Sequence, residues 1–382
     1  MDSNAGEIAE DGFERASPKQ QSVRTWAVYD QKDYKSRIRL IRQLFILSSR
    51  RLNTSSSRPL HLQRVPLLSS WNPDEFETRA FVPAFPARLP RSAAHIPPAC
   101  SKWFIHDHNV DYDFITTPTG CDDNLSIPQS SELRTSFWSD HESTIVPLEL
   151  TSSKGSFDGE ESFHRVEAPL KVLLAYLSRP QPQPHPQRAP PSEHSSIYLA
   201  QCDLTSLPES ITNDIPSPPL VVTRSPSGRI KGDIYASSLW LGRPPTYTPL
   251  HRDPNPNLFI QLAGRKLLRL LPPEVGDAIY DDVQKELSSP LHQNRGSGSG
   301  SGSGSTTIRG EEMMAGPEKI ALHAAIWPDD DHTTSRYAQV LSTYGLETEV
   351  SLGDALFIPR GWWHSVKGVG EGITASVNWW FR

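Results

Sequence analysis

Residues 248–271 read TPLHRDPNPNLFIQLAGRKLLRLL, and this stretch decides the fold. Two strand-like runs, Asn257 to Leu262 and Lys266 to Leu271, flank Gly264, a residue suited to a tight hairpin turn. Similar short runs, separated by Gly and Pro, recur elsewhere: Ile197 to Ala200, Leu220 to Thr223, Ser238 to Leu241, Ala355 to Ile358 and Thr374 to Phe381. This pattern predicts a mainly β fold, a barrel or double-sheet jelly roll with peripheral N-terminal helices.

His251 and Asp253 lie two residues apart in this stretch. In an extended strand, residues i and i+2 face the same side, so both side chains can point inward. His364 comes later, at the end of Gly361-Trp-Trp-His364. Two histidines and one carboxylate are the ligands of a facial triad, which leaves coordination positions open on Fe(II). A core histidine bonded to a backbone carbonyl is the alternative interpretation.

Lys266 places one cation on a strand face that is otherwise apolar, beside Leu268 and Leu270. A buried lysine is costly unless it is paired. A dicarboxylate such as 2-oxoglutarate would supply the partner, with its distal carboxylate on Lys266 and its keto-acid end on the iron. The alternative is a lysine that extends along a strand edge to reach water.

Taken together, these residues resemble the jumonji-C (JmjC) oxygenases of the cupin superfamily. They are most similar to the small hydroxylase-like branch that contains factor inhibiting hypoxia-inducible factor. The resemblance runs roughly from Pro83 to the C-terminus. It is carried by a Thr three residues before the first metal His, an HxD motif, a following Asn, a Gly-x-Lys and a distal His after an aromatic pair: Thr248, His251, Asp253, Asn257, Gly264, Lys266 and Trp363-His364.

The resemblance implies a double-stranded β-helix fold and a site for Fe(II), 2-oxoglutarate and dioxygen. By resemblance, the metal ligands are His251, Asp253 and His364. The co-substrate contacts implied in the same way are Lys266 and Thr248 at the C5 carboxylate, with Asn257, Asn378 and Tyr198 nearby. Two tryptophans are candidates for lining the substrate side: Trp240, for which a core position is the alternative, and Trp363 beside the distal histidine.

The chain divides into an N-terminal extension, 1–75, and a JmjC/cupin-like domain, 76–382, with insertions at 105–165, 179–196 and 290–318. We expect the extension to be partly disordered, with a basic helix from Asp33 to Leu47. The proline-rich segment from Phe76 to Phe104 is predicted to be extended. Residues 105–160 are predicted to form loops with short elements. Little helical pattern follows Arg179. The proline-rich run 179–192 and the Gly-Ser repeats of 296–305 predict linker-like chain.

Composition limits the partners. A net charge of -6 gives no basic footprint for nucleic acid. No apolar run is long enough for a membrane span, and the three cysteines form no CxxC pair. We therefore expect an intracellular protein, cytoplasmic or nuclear, with mitochondrial import as an alternative because Ser36 to Arg64 is rich in Arg and Ser. The chain ends directly after a strand, which predicts a monomer.

Four functions are open at this point. The motifs favour a protein or peptidyl hydroxylase. The alternatives are an N-methyl-lysine demethylase, which would release formaldehyde, a tRNA-base hydroxylase, which the acidic charge disfavours, and a cupin-like binding protein without catalysis. The intact triad and Lys266 argue against the last, because each is a costly polar group without a structural need.

Overall fold

The computed structural model describes residues 41, 43, 60–106, 130–154, 161–179, 193–289, 313–328 and 335–382. Its strands are β1 (Gln63–Arg64), β2 (Ala87–Leu89), β3 (Phe104–His106), β4 (Ser131–Leu133), β5 (Ile145–Lys154), β6 (Glu161–Pro169), β7 (Glu193–Asp203), β8 (Ile234–Gly242), β9 (Thr246–Arg252), β10 (Asn257–Ala263), β11 (Arg265–Leu271), β12 (Leu346–Val350), β13 (Ala355–Ile358), β14 (Trp363–Val369) and β15 (Thr374–Phe381). Its α-helices are α1 (Pro73–Phe76), α2 (Ala99–Lys102), α3 (Thr135–Trp138), α4 (Lys171–Leu177), α5 (Glu209–Thr212), α6 (Pro219–Val222), α7 (Pro273–Leu287), α8 (Gly316–Ile326) and α9 (Ala338–Tyr344). A π-helical turn (Glu77–Phe81) and two 3₁₀ turns (Ser139–His141 and Leu204–Ser206) complete the elements.

The strands form two large sheets. One has five strands in the order β1-β12-β11-β14-β9, and the other has eight in the order β2-β13-β10-β15-β8-β7-β5-β6. The paired strands run antiparallel except β1, which lies parallel to β12. A small third sheet pairs β3 with β4. The mainly β, jelly-roll fold predicted from the sequence is confirmed.

Three apolar clusters place these sheets in layers. Between the sheets lie residues such as Phe259, Leu268 and Leu356. A larger cluster, including Trp379, covers the other face of the eight-stranded sheet. A third cluster, including Ile279, joins the outer face of the five-stranded sheet to α7, α8 and α9. Because both faces of β10 are covered, that strand is buried along its whole length and reads as a nearly continuous apolar run.

Six of the seven predicted strand runs lie within strands of the structure, namely β7, β8, β10, β11, β13 and β15. The prediction for Leu220 to Thr223 is wrong, because Pro219–Val222 forms the short helix α6. Pro219 stands at the first helical position, where its fixed φ suits a helix and its missing N–H costs nothing. A four-residue apolar run is too short for its periodicity to separate helix from strand.

Three other element predictions need correction. Within 105–160, β5 is a ten-residue strand that pairs with both β6 and β7 rather than a short element in a loop. Helices do follow Arg179, and α7, the longest in the described part of the chain, has fifteen residues. The segment from Phe76 to Phe104 is extended only in part, since it contains the π-helical turn and α2.

Several sequence predictions fall on residues outside the described ranges. The Gly-Ser repeats and most of the proline-rich run are among them, as is the basic helix except for Ile41 and Gln43, which are helical. The domain boundary at residue 76 stays a prediction, although Leu68 and Trp71 pack in the same core as the sheets. In the part of the chain that the structure describes, no helix is long and apolar enough to cross a membrane.

Candidate active site

Strand β14 lies between β9 and β11 and sets the rows of the site. His364 pairs with His251 and Leu270, Val366 with Thr248 and Leu268, and Gly368 with Thr246 and Lys266. Directly opposed residues in antiparallel strands share a face of the sheet. One face of the five-stranded sheet therefore carries two predicted metal ligands and two predicted co-substrate contacts: His251, His364, Thr248 and Lys266.

A β-bulge in β9 makes this alignment possible. Thr248 lies three positions before His251, and an odd spacing would place them on opposite faces of a regular strand. The register shifts at this point: His364 pairs with His251 and Val366 pairs with Thr248. The same interval therefore spans two positions on β14 and three positions on β9. One extra residue in β9 thus returns Thr248 to the face of His251.

The three predicted metal ligands converge. One ligand atom each from His251, Asp253 and His364 lies within 4.8 Å of the other two. His364 Nε2 is 3.7 Å from Asp253 Oδ2, and the two imidazole centroids are 4.1 Å apart. Asp253 and His364 are buried, which keeps bulk water away from their ligand atoms.

Backbone carbonyls orient both imidazoles. His251 Nδ1 lies 2.8 Å from the carbonyl of Pro249, and His364 Nδ1 lies 3.1 Å from that of Trp362. With Nδ1 donating, each Nε2 carries a lone pair, the form in which histidine binds a metal. Burial, together with the neighbouring His251, lowers the pKa of His364 to about 4, so the ring is neutral near pH 7. This donor set fits a divalent cation with open coordination positions.

Lys266 supplies a buried ammonium beside this face. It is 3% exposed, and Nζ donates to Ser376 Oγ at 2.7 Å and to Tyr198 Oη at 3.3 Å. Burial lowers its pKa from 10.5 to about 7. Among the described residues its hydrogen-bond partners are neutral hydroxyls, and the rings of Phe259, Tyr198 and Trp240 lie within 6 Å. A carboxylate is the group that would stabilise the charged form.

Two glycines leave room for the groups around Lys266. A Cβ on Gly242 would lie 2.4 Å from the ring of Tyr198, and a Cβ on Gly368 would lie 2.3 Å from Thr246 Oγ1. The hydroxyl of Tyr198 is also hydrogen-bonded to Thr246, and burial raises its pKa. The two sheets therefore approach each other closely beside the ammonium of Lys266.

The remaining predicted contacts line the eight-stranded sheet. Asn257 Nδ2 donates to Asp253 Oδ2 at 3.0 Å, and Trp240 Nε1 donates to Asn378 Oδ1 at 2.7 Å. Within the described chain, Asn257 Oδ1 and Asn378 Nδ2 are buried without a hydrogen-bond partner. Asn378 Nδ2 is thus a donor that suits a carboxylate near Lys266, whereas Asn257 Oδ1 is an acceptor that requires a donor other than an ionised acid. Trp240 belongs to this wall, beside Lys266.

Trp363 does not line the pocket as expected from the sequence. Its ring packs in the helical layer, its Nε1 donates to Asp277 Oδ1 at 2.8 Å, and Tyr280 stacks on it. Strand alternation explains the error, because the residue next to the inward His364 must face outward.

Sequence reasoning did not find Thr246, Ser376 and Asp277. The first two had a signal, because each lies two residues before a predicted contact, Thr248 or Asn378, in a strand-like run. Asp277 had none, because its role depends on how α7 packs against the sheet.

The chain is similar to known proteins. The cupin-like domain family matches residues 105–382. Jumonji C domain-containing protein 5 of Drosophila melanogaster is 24% identical over 83% of this chain and 60% of its own length. Lysine-specific demethylase JMJ30 of Arabidopsis thaliana is 23% identical over 48% of this chain and 33% of its own. The corresponding values for human HSPB1-associated protein 1 are 28%, 38% and 23%.

The chain thus spans between about a quarter and three fifths of these relatives. Placement in the branch of factor inhibiting hypoxia-inducible factor stays a prediction. The family match covers most of the chain, and the named relatives include JmjC proteins. The chain therefore belongs to the cupin-like domain family, as a JmjC member of the cupin superfamily.

Proposed function

We propose that this chain is an Fe(II)- and 2-oxoglutarate-dependent oxygenase that hydroxylates a protein or peptide. One observation carries the proposal: a two-histidine, one-carboxylate group lies on the same sheet face as a buried ammonium whose partners are neutral. A metal site alone would need no such cation. A chelating dicarboxylate would use both, one end on the metal and the other on Lys266.

Each residue has a role in this proposal. His251, Asp253 and His364 would hold the iron, and Lys266 would hold the distal carboxylate of 2-oxoglutarate. The other residues for the co-substrate are the hydroxyls of Thr248, Tyr198, Ser376 and Thr246 and the amides of Asn257 and Asn378. When bound, iron and 2-oxoglutarate together supply the activation of dioxygen and the oxidation of a C–H bond.

The chain itself provides orientation and a dry site. The backbone carbonyls of Pro249 and Trp362 fix the histidine tautomers, and Asn257 fixes the carboxylate of Asp253. These groups act in a buried environment, where electrostatic interactions are stronger than in water. The eight-stranded sheet closes the co-substrate end through Tyr198 and Ser376.

A second candidate is N-methyl-lysine demethylation, favoured by the names of two Arabidopsis relatives, lysine-specific demethylases JMJ30 and JMJ31. The same site would hydroxylate an N-methyl group, which then leaves as formaldehyde. We favour stable hydroxylation because the HxD motif, Asn257 and Lys266 resemble the pattern of the small hydroxylase-like branch. A tRNA base fits the net charge of -6 less well.

The location and assembly of the protein stay predictions. The two cysteines that the structure describes, Cys100 and Cys202, are buried free thiols. They agree with the expected reducing, intracellular compartment.

The first test is an anaerobic titration with Fe(II) and 2-oxoglutarate, following the weak visible charge-transfer band of the chelated metal. We expect a band that is lost in His251→Ala and weakened in Lys266→Ala. The matched controls are His164→Ala and Lys171→Ala, because both side chains are exposed and lie on β6 and α4, away from the site. A folded, iron-loaded protein without the band would contradict the proposal.

The second test separates the two reactions. Candidate peptides are screened for stimulated succinate formation, and each active peptide is then assayed for formaldehyde and for a mass gain of one oxygen atom. Stable oxygen incorporation without formaldehyde supports the hydroxylase. Formaldehyde in proportion to succinate would instead support the demethylase.

A further inference from the structure

We propose that Asp277, on α7, is a positioning residue for the metal centre. It holds the two residues that adjoin the metal ligands, Arg252 and Trp363, from the side of the five-stranded sheet opposite the site. This inference rests on the proposed function, because it assumes that the triad binds a metal.

A single carboxylate oxygen makes both contacts. Asp277 Oδ1 accepts from Arg252 Nη1 at 2.8 Å and from Trp363 Nε1 at 2.8 Å. Arg252 stands between His251 and Asp253, and Trp363 immediately precedes His364. Each of the three metal ligands is therefore bonded through the backbone to a residue that Asp277 holds.

Arg252 and Trp363 also contact each other. They are opposed in the register of β9 and β14, and the guanidinium carbon lies 5.2 Å from the centre of the indole ring. Since neighbouring residues of a strand face opposite sides, the pair points toward the helices while the ligands point inward. Asp277 thus bridges the two strands that carry the ligands, on their outer face.

The position of α7 is fixed closely enough for this role. A Cβ on Gly276 would lie 2.1 Å from Trp363 Cδ1, so the helix approaches the indole at a distance that only glycine allows. Tyr280 stacks on the same ring at 5.3 Å between centroids. Asp277 directly follows Gly276, so this close contact also fixes the distance of its carboxylate from β9 and β14.

Charge gives the carboxylate a second effect. Arg252 places a positive charge beside two ligands of a divalent cation, where it opposes metal binding. Asp277 offsets that charge through the ion pair, whose two side chains are 25% and 20% exposed, and Asp281 on the same helix adds to this effect. Because solvent partly screens this ion pair, charge compensation alone has a limited effect on metal affinity. We expect positioning of the ligands to contribute as well. Groups hydrogen-bonded directly to metal ligands typically change metal affinity by about 10- to 100-fold, and for a group that acts through neighbouring residues we expect the lower end of that range.

The test measures Mn(II) affinity by the paramagnetic resonance signal of the free ion, which needs no turnover. We expect Asp277→Ala to weaken binding by about tenfold or more. Asp277→Asn keeps an oxygen for the indole but loses the charge, so its affinity should be intermediate. Trp363→Phe keeps the ring and removes the N–H, and it should also weaken binding. The matched control is Asp282→Asn on the same helix, which bonds Tyr337 instead and should stay within about twofold of wild type.

Thermal unfolding of the metal-free proteins accompanies the titrations. If Asp277→Ala does not fold, Asp277→Asn and Trp363→Phe decide the result. A lower unfolding temperature with unchanged Mn(II) affinity in the folded variants would show a structural role only and overturn the inference. Wild-type protein that binds no Mn(II), or that binds it equally well as His251→Ala, would overturn the proposed function as well.

Discussion

Lys266 shows how a single residue links fold and site. Its ammonium is buried against Ser376 and Tyr198, and burial lowers its pKa from 10.5 to about 7. In the unfolded chain the lysine stays protonated up to its ordinary pKa, so between these two values the unfolded state binds more protons. Stability of the ligand-free protein should therefore rise with pH across this window and be lowest below about pH 7.

Replacing Lys266 separates stability from co-substrate binding. Lys266→Met removes a buried charge whose partners are neutral, so the ligand-free protein should be at least as stable in urea at pH 7 as wild type. A hydrogen-bonded charge pair is worth about 1.5–3 kcal/mol, so 2-oxoglutarate binding should weaken by roughly 10- to 150-fold. Calorimetric titration in the presence of Mn(II) measures this loss. Unchanged 2-oxoglutarate affinity would show that Lys266 does not bind the co-substrate.

The same residue predicts a pH dependence. A dicarboxylate binds the charged ammonium, and that form declines above pH 7 because the pKa of Lys266 is about 7. Affinity for 2-oxoglutarate should therefore fall as pH rises from about 7 to 9. Lys266→Arg, which stays charged over this range, is the control and should show a flatter profile. If both profiles have the same slope, another group titrates.

At the scale of elements, the pairing of β9 with β14 determines which side chains lie between the metal ligands and Lys266. Gly368 lies opposite both Lys266 and Thr246, and a Cβ there would meet Thr246 Oγ1 at 2.3 Å and Thr374 Cγ2 at 3.1 Å. The glycine allows the strands to approach at the co-substrate end. His364 lies four residues away on the same strand, so the metal ligands are less affected by a change here.

Gly368→Ala should weaken 2-oxoglutarate more than Mn(II). Overpacking of this kind typically costs about 1–3 kcal/mol, which corresponds to roughly 5- to 150-fold if it falls on ligand binding. Thr246→Ala removes the atom closest to the added Cβ. In the Thr246→Ala background, Gly368→Ala should therefore cost much less 2-oxoglutarate affinity than it does in the wild-type protein. Equal losses of metal and co-substrate affinity would mean that the whole strand pair has shifted.

The elements differ in how well the sequence predicts them. Strands β10 and β11 were clear because a glycine turn joins two β-rich runs, and Gly264 does have φ of 62°. Helix α7 was missed although Val275, Ile279 and Val283 recur every four residues on its buried face. No helix was predicted there, although Pro273 stands at the start of the helix, where a proline is well accepted.

At the scale of the whole molecule, the site joins both sheets. The triad side chains and Lys266 lie on or beside the five-stranded sheet, whereas Tyr198, Ser376 and Asn378 come from the eight-stranded sheet. A ligand between them should therefore stabilise the two sheets together. The HxD motif and Lys266 could be predicted because they are close in sequence. Ser376 and Asp277 depend on pairings across more than twenty residues, which a sequence pattern alone does not specify.

Ligand binding should raise the global stability in two increments. At a hundredfold excess over its dissociation constant, each of Mn(II) and 2-oxoglutarate should add about 2.7 kcal/mol to the free energy of unfolding. Hydrogen exchange should then slow in core strands of both sheets, such as β11 and β15. Lys266→Met should keep the Mn(II) increment and lose most of the other. Protection confined to one sheet would contradict a shared site.

The buried ammonium of Lys266 also has a consequence for the lifetime of the protein in the cell. Among the described residues the ammonium bonds neutral hydroxyls, and in the proposed function 2-oxoglutarate supplies its ionic partner. Quality-control proteases act on the fraction of molecules that is open at any moment, and that fraction falls as the ligand concentration rises. The abundance of this protein should therefore follow the supply of 2-oxoglutarate, so that its turnover, and not only its catalysis, responds to metabolism.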